Sequence, residues 1–452
     1  MDDKLKVKAN VFSIVYERLS DSEKDESGKA RTLASIDPSA RPVTFAFNGG
    51  PGSSSVWLHL GALGPRRVRM GPEGEMPASA VLADNASSWL DFTDLVFIDP
   101  VSTGYSRAAE GEDPKQFHGL DEDVRWVAEF IRLSLTRGKR WLSPKYLVGE
   151  SYGTTRAAGM SRELQERLGI YVSGIALISP VLNFQTTSFD VGNDTPYWLF
   201  LPTYTATAWY HKRLAPPLAG DLVRTLDEVR AFARTDYITA LAEGDRLDAA
   251  RREAIAERLA AYTGLSKEFI LRSNLRPTIG AFTKELLRDQ GRTVGRLDSR
   301  FKGIDRTDVG ESPEYDPSYA AIQGVYTSAM NDYARRELRF ESDLNYEILT
   351  GNVRPWSFAS ASNRYANVAE SLRRSISVNP NLRVWAACGY YDLATPFAAA
   401  GYTLHNLQLD PALHGNITQT FYESGHMMYV READLEKLRQ DAARWYGAAP
   451  KP

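Results

Sequence analysis

The stretch KYLVGESYGTTRAAG, residues 145–159, decides the fold. Its first residues, 145–148, form a short apolar run that predicts a buried strand. GESYG at 149–153 fits the pattern G-x-S-x-G, in which the glycines permit a sharp turn that lifts the hydroxyl of Ser151 out of the backbone. The pattern alone also fits an ordinary turn. Small residues at 157–159 favour a helix start, and strand, turn and helix in direct succession favour an exposed nucleophile.

Similar apolar runs recur along the chain with helical segments between them, at 43–47, 95–98, 174–178, 383–387 and 417–421. This alternation predicts a mostly parallel sheet with helices on both faces. Between the runs near 178 and 383 the composition changes, and charge-rich helical stretches dominate. We therefore expect a core built from residues 1–183 and 357–452, with a mainly helical cap insertion at 184–356.

The charge balance argues against polyanionic partners. The 452 residues include 54 basic and 57 acidic side chains, a formal net charge of −3. Nucleic acid or an anionic membrane would need a concentrated positive field, so neither is an expected partner. The start, Met1 to Lys6, lacks the pattern of a secretory signal, and no segment approaches the ~20 apolar residues of a membrane span. We expect a soluble chain: cytoplasmic as given, periplasmic or secreted if a signal was removed.

Cys388 is the only cysteine. It cannot form an intramolecular disulfide, and a thiolate metal cluster is excluded. Because it ends the apolar run 383–387, we expect a buried structural thiol rather than a nucleophile.

A serine nucleophile needs a base, normally an imidazole that is oriented by a carboxylate. When the serine stands on such a turn, the acid and then the histidine follow it in the chain, on loops after late strands. His426 directly follows the run 417–421, whereas His414 precedes it. Asp392 follows the run 383–387, although an isolated Asp there also suits a turn or a helix cap. We predict the triad Ser151, Asp392 and His426 on an α/β-hydrolase fold.

The oxyanion of an acyl-transfer reaction needs two hydrogen-bond donors, usually backbone N–H groups. One is expected from Tyr152, which follows the serine. The other is expected from the loop Asn48-Gly49-Gly50-Pro51-Gly52, because its glycines let the backbone approach a substrate closely.

Four segments together resemble the serine carboxypeptidase family. NGGPGSSS at 48–55, GESYG at 149–153 and GHM at 425–427 are similar to its loop, serine and histidine motifs, and DPVSTGYS at 99–106 is similar to a fourth block. The resemblance implies release of the C-terminal residue of a peptide through an acyl-enzyme, with no metal or cofactor. An esterase or a carboxypeptidase-like acyltransferase with the same triad is the alternative, and a non-catalytic binding protein is a more distant one.

At matching positions the resemblance implies roles for individual residues. The N–H groups of Gly50 and Tyr152 would form the oxyanion hole. Asn48, Gly49 and Glu150 would bind the free carboxylate of the peptide. A carboxylate beside Glu150 binds well only when one proton is shared, which implies better peptidase activity at acidic pH.

The chain departs from the family pattern at three positions. Ser53 replaces a cysteine, so the usual disulfide is absent, as in bacterial-type members. Ala62 stands where a second glutamate would pair with Glu150, so we expect a lower pKa for Glu150 than in the paired site. Tyr429 replaces a proline, which we expect to change the shape of the pocket rather than its chemistry. The sequence leaves open the oligomeric state, the preferred terminal residue, and whether the aromatic cluster at 197–210 lines a pocket or packs the insertion.

Overall fold

The computed structural model describes residues 6–18 and 41–447. Residues 1–5, used in the targeting argument, lie outside them. The central sheet has seven strands in the spatial order β7-β6-β5-β4-β2-β3-β1. All neighbours pair in parallel except β1, which is antiparallel to β3. The strands are β1 Ser13–Tyr16, β2 Val43–Phe47, β3 Asp94–Ile98, β4 Lys145–Glu150, β5 Gly174–Ile178, β6 Arg383–Gly389 and β7 Ile417–Tyr422.

Both faces of the sheet are covered, as the continuous apolar runs predict. All five residues of β2 are buried. Val43, Phe45 and Phe47 pack into one hydrophobic cluster and Ala46 into another on the opposite face. This alternation follows from the two-residue repeat of a strand. The mostly parallel sheet predicted from the sequence is confirmed.

The longer helices have the following bounds: α1 Leu120–Arg137, α2 Tyr152–Leu168, α3 Thr195–Tyr210, α4 Leu222–Phe232, α5 Ile238–Glu243, α6 Ala249–Thr263, α7 Lys267–Arg272, α8 Ile279–Glu285, α9 Pro317–Arg336, α10 Ala369–Val378, α11 Phe397–His405 and α12 Glu432–Gly447. A short helical segment covers 56–63. Helices α1, α2 and α10 contribute to the cluster on one face of the sheet, and α9, α12 and the segment 56–63 to the cluster on the other.

Short strand pairs lie outside the main sheet: Ala9–Asn10 with Arg107–Ala108, Arg66–Val68 with Leu82–Asp84, and Thr293–Val294 with Lys302–Gly303. In the described ranges, no helix has the length and apolar character needed to cross a bilayer.

Most helices between β5 and β6 form a hydrophobic cluster of their own, which includes Phe200, Leu259 and Phe282. Helix α9 differs, because Ile322, Tyr326 and other residues on it pack into the cluster beside the sheet. The division of the chain at residues 183 and 356 remains a prediction. Besides α9, Tyr346 and Ile348 of the insertion also pack into the cluster beside the sheet. Most aromatic residues at 197–210 pack within the insertion, with Trp198, Phe200 and Tyr204 buried there.

Candidate active site

Ser151 stands at the sharp turn between β4 and α2. Its backbone has φ 58° and ψ −130°, a conformation that costs a residue with a side chain about 1–3 kcal/mol. A Cβ at Gly149 would lie 2.2 Å from the carbonyl oxygen of Gly153, and a Cβ at Gly153 would lie 2.7 Å from that of Phe47. Both glycines of the motif are therefore required by close packing, as the sequence predicts.

Asp392 and His426 follow β6 and β7, at the same edge of the sheet as Ser151. His426 Nδ1 lies 2.8 Å from Asp392 Oδ2, and both side chains are buried. In the neutral imidazole, a proton on Nδ1 is donated to this oxygen of Asp392, and Nε2 is then left as an acceptor. Burial lowers the pKa of His426, but the charge and hydrogen bond of Asp392 act in the opposite direction and leave it above its ordinary value.

The end of β5 brings the histidine loop beside the serine turn. The N–H of Ser151 donates to the carbonyl of Ile178 (3.0 Å), and the hydroxyl of the next residue, Ser179, donates to the carbonyl of His426 (2.7 Å). To other described residues the Ser151 hydroxyl donates no hydrogen bond. Contacts between nucleophile and base often tighten only when substrate is bound. The structure brings the three predicted residues into one region, and their catalytic roles remain a prediction.

Residues of the insertion hold the histidine loop from the other side. The N–H of His426 donates to the carbonyl of Leu297 (2.7 Å), and that of Gly425 donates to Asp298 Oδ2 (3.0 Å). The N–H of Ser299 donates to the carbonyl of Tyr391, next to Asp392 (3.0 Å). The insertion therefore fixes the positions of the loops that carry the acid and the base.

The glycine loop after β2 lies directly against the serine turn. A Cβ at Gly49 would be 2.4 Å from the nitrogen of Tyr152, so only glycine fits there. Gly50 has φ +100°, a backbone conformation that favours glycine. Tyr152 opens α2, where the first N–H groups have no partner within the helix. The two predicted oxyanion donors, on Gly50 and Tyr152, thus belong to adjoining segments.

Asn48 and Glu150 are buried together on this loop and turn. Asn48 Oδ1 accepts from the N–H of Leu58 (3.0 Å). Its Nδ2 group is buried and has no acceptor in hydrogen-bonding geometry among the described residues, although the amide lies near enough to Glu150 to lower the pKa of that carboxyl. An unpaired buried donor beside a carboxyl group is suited to bind another carboxylate.

Glu150 has a strongly perturbed carboxyl group. Burial raises its pKa to about 7, although His426 and the Tyr429 hydroxyl lower it. Although Ala62 stands where the family pattern has a second glutamate, the pKa of Glu150 therefore stays above its ordinary value. The expectation for Tyr429 was wrong, because its hydroxyl donates to Glu150 Oε2 at 2.6 Å and so changes the chemistry of the pocket.

The comparison with protein families agrees with this geometry. A family model described as serine carboxypeptidase matches residues 30–439, which is most of the chain. The chain belongs to the serine carboxypeptidase family. The α/β-hydrolase fold predicted from the sequence is confirmed.

Individual members of the serine carboxypeptidase family match over shorter regions. A pheromone-processing carboxypeptidase kex1 of Sclerotinia sclerotiorum is 32% identical over 130 residues, which cover 27% of this chain and 18% of that protein. Serine carboxypeptidase-like 45 of Arabidopsis thaliana is 28% identical over 169 residues, which cover 34% of this chain and 32% of that protein. The matches thus span about a fifth to a third of these relatives.

A solved structure shares the fold of this serine carboxypeptidase family member over almost its whole length. It is the crystal structure of Kex1(delta)p, a prohormone-processing carboxypeptidase from Saccharomyces cerevisiae. The TM-score is 0.59 at 16% identity, and the alignment covers 99% of this chain and 88% of that one.

The sequence analysis missed Arg156, whose side chain holds the glycine loop after β2 of this family member. Its guanidinium donates to Asp123 Oδ2 and to the carbonyl of Asn48, each at 2.7 Å, and it is 1% exposed. It also lies over the rings of Phe47 and Tyr152. The sequence did contain a signal for this residue. An arginine stands among the small residues at the start of α2, and a buried charge there needs a partner.

Proposed function

We propose that this chain is a serine-type carboxypeptidase that releases the C-terminal residue of peptides through an acyl-enzyme intermediate. The observation that carries the proposal is the buried pair beside the nucleophile: the unpaired amide of Asn48 and the carboxyl of Glu150, whose pKa is about 7. A peptide end whose carboxylate shares a proton with Glu150 and accepts from Asn48 would have its last peptide bond near Ser151.

The proposed reaction has two halves. Ser151 Oγ attacks the carbonyl carbon of the last peptide bond, and His426 Nε2 takes the hydroxyl proton and passes it to the leaving amine. The free amino acid departs, and the shortened peptide remains as an ester of Ser151. Water then attacks this ester with the same base, so that the shortened peptide is released.

Asp392 and the backbone donors have separate tasks in this reaction. Asp392 keeps the proton of His426 on Nδ1 and stabilises the imidazolium that forms. The N–H groups of Gly50 and Tyr152 would bind the oxyanion, where one donor is typically worth a factor of about 10²–10³ in rate.

The test compares an N-acetylated dipeptide of phenylalanine and leucine with its C-terminal amide. We expect kcat/KM to be at least about tenfold higher for the free acid, because Asn48 and Glu150 would bind a carboxylate and not a neutral amide. Ser151→Ala should lower kcat by a factor of at least about 10⁴ while leaving the melting temperature unchanged. A fluorophosphonate should label the wild-type protein and not this variant.

Four outcomes would contradict the proposal. Equal rates on the acid and the amide would show that the protein has no site for the terminal carboxylate. Hydrolysis of esters alone would favour the esterase. Transfer of the acyl group to an added alcohol in preference to water would favour an acyltransferase. A wild-type protein that is not labelled at Ser151 would exclude a serine hydrolase.

A further inference from the structure

Tyr429 follows the histidine loop, and its side chain reaches into the site next to the nucleophile. Its hydroxyl donates to Glu150 Oε2 at 2.6 Å, and the two residues are only 2% and 3% exposed. We propose that Tyr429 is the hydrogen-bond partner that positions Glu150 for the peptide carboxylate and sets the pH range in which a free C-terminus is bound. This inference rests on the proposed function and adds a positioning residue to it.

The chain makes room for the tyrosine ring. A Cβ at Gly61 would lie 2.5 and 2.7 Å from two ring carbons of Tyr429, so a larger residue there would displace the ring. The next residue, Ala62, is fully buried and carries no polar group to pair with Glu150. Segment 59–63, which contains both, lies against the turn Met428–Val430. The missing side chain at Gly61 thus leaves space for the ring of Tyr429 on the other segment.

A tyrosine partner differs chemically from a second carboxyl group. Burial raises the pKa of the Tyr429 hydroxyl well above its usual range, so the group keeps its proton and serves Glu150 as a donor. Two carboxyl groups could exchange a proton, whereas Tyr429 donates to one oxygen of Glu150 and keeps its own proton. The one proton shared with the peptide carboxylate must then come from protonated Glu150.

Other charged and titratable groups near Glu150 act on the same equilibrium. Burial raises the pKa of Glu150 to about 7; His426 lowers it, and the carboxylate of Asp392 raises it. Tyr326 on α9 also lies near Glu150, but burial keeps its hydroxyl protonated, so it adds no charge to this equilibrium. Of these groups, Tyr429 donates a direct hydrogen bond to the ionised carboxylate.

The sign of the effect follows from this bond. The Tyr429 hydroxyl stabilises ionised Glu150, so it lowers the pKa of that carboxyl. Removing the hydroxyl must raise this pKa and keep Glu150 protonated at higher pH. Binding of a free C-terminus should then persist to higher pH, an improvement that loss of packing alone would not produce.

The experiment measures kcat/KM for the N-acetylated Phe-Leu dipeptide and for its ester between pH 5 and 9. For the wild type we expect the rate on the acid to fall with an apparent pKa near 7, and the ester to lack this alkaline decrease. Tyr429→Phe should move the decrease upward by about one pH unit, through KM rather than kcat. Tyr326→Phe is the matched control. It removes a buried hydroxyl near Glu150 that makes no hydrogen bond to it in the described part of the chain, and it should leave the midpoint in place.

Each outcome bears on a separate claim. A folded Tyr429→Phe protein with an unchanged midpoint overturns the role of Tyr429 and leaves the carboxypeptidase proposal intact. Failure of the wild type to prefer the acid over the amide overturns the proposed function itself. If Tyr429→Phe does not fold, Glu150→Gln provides the test. The alkaline decrease should vanish in that variant, and its persistence would show that Glu150 does not set it.

Discussion

Exchanging Asp392 for asparagine tests how the acid orients the base. Asp392 Oδ1 accepts from the N–H groups of Ala394 (2.8 Å) and Thr395 (2.9 Å), while Oδ2 faces His426 Nδ1 at 2.8 Å. In Asp392→Asn the two N–H groups require the amide oxygen at the Oδ1 position. The NH₂ group must therefore stand at Oδ2 and present a donor to His426.

The magnitude follows from this fixed orientation. To pair with an NH₂ group, His426 must carry its proton on Nε2, and it then cannot accept the proton of Ser151. Flipping the amide would place its NH₂ against two backbone donors, and each buried unsatisfied group costs about 1–3 kcal/mol. The wrong tautomer should therefore dominate. We expect kcat to fall by a factor of about 10³–10⁴, equivalent to roughly 4–5.5 kcal/mol in the barrier.

The assay is steady-state hydrolysis of the N-acetylated dipeptide at pH 7, with fluorophosphonate labelling of Ser151 as a second readout. Asp298→Asn, once shown to be folded because Asp298 also pairs with Arg300, is the control. Asp298 accepts from the N–H of Gly425 and, among the described residues, makes no hydrogen bond to the imidazole. This variant should lower kcat by less than about tenfold. If folded Asp392→Asn keeps more than a tenth of wild-type kcat, the orienting role of Asp392 is refuted.

Two further predictions concern buried groups outside the reaction. Burial raises the pKa of the Cys388 thiol to about 12, so only about one molecule in 10⁴ carries a thiolate at pH 8. Iodoacetamide should modify Cys388 only after denaturation, and rapid labelling of the native protein, followed by mass spectrometry, would contradict this. Arg156→Met leaves Asp123 buried without its ion-pair partner and should lower the free energy of unfolding by about 3–5 kcal/mol. Urea denaturation measures the loss, the double variant with Asp123→Leu should recover most of it, and a loss below about 1 kcal/mol would show that the pair is dispensable.

The local sequence pattern was sufficient to predict the strands of the central sheet and the turn at Ser151. Continuous apolar runs predicted buried parallel strands, because a strand covered on both faces has no polar side to display. The glycines around Ser151 predicted a turn whose tight packing the structure bears out. Chain order then selected Asp392 and His426, since loops after neighbouring parallel strands meet at one edge of the sheet.

Tertiary structure alone decided which distant residues complete the site. Tyr429 and Glu150 are 279 positions apart in the chain. The histidine loop donates hydrogen bonds to Leu297 and Asp298, which belong to the insertion. The sequence pattern reports that a residue is buried, but not which residue it contacts. That choice depends on how separate helices and loops pack, and a hydroxyl near a carboxylate becomes its partner only when packing brings them within hydrogen-bonding distance.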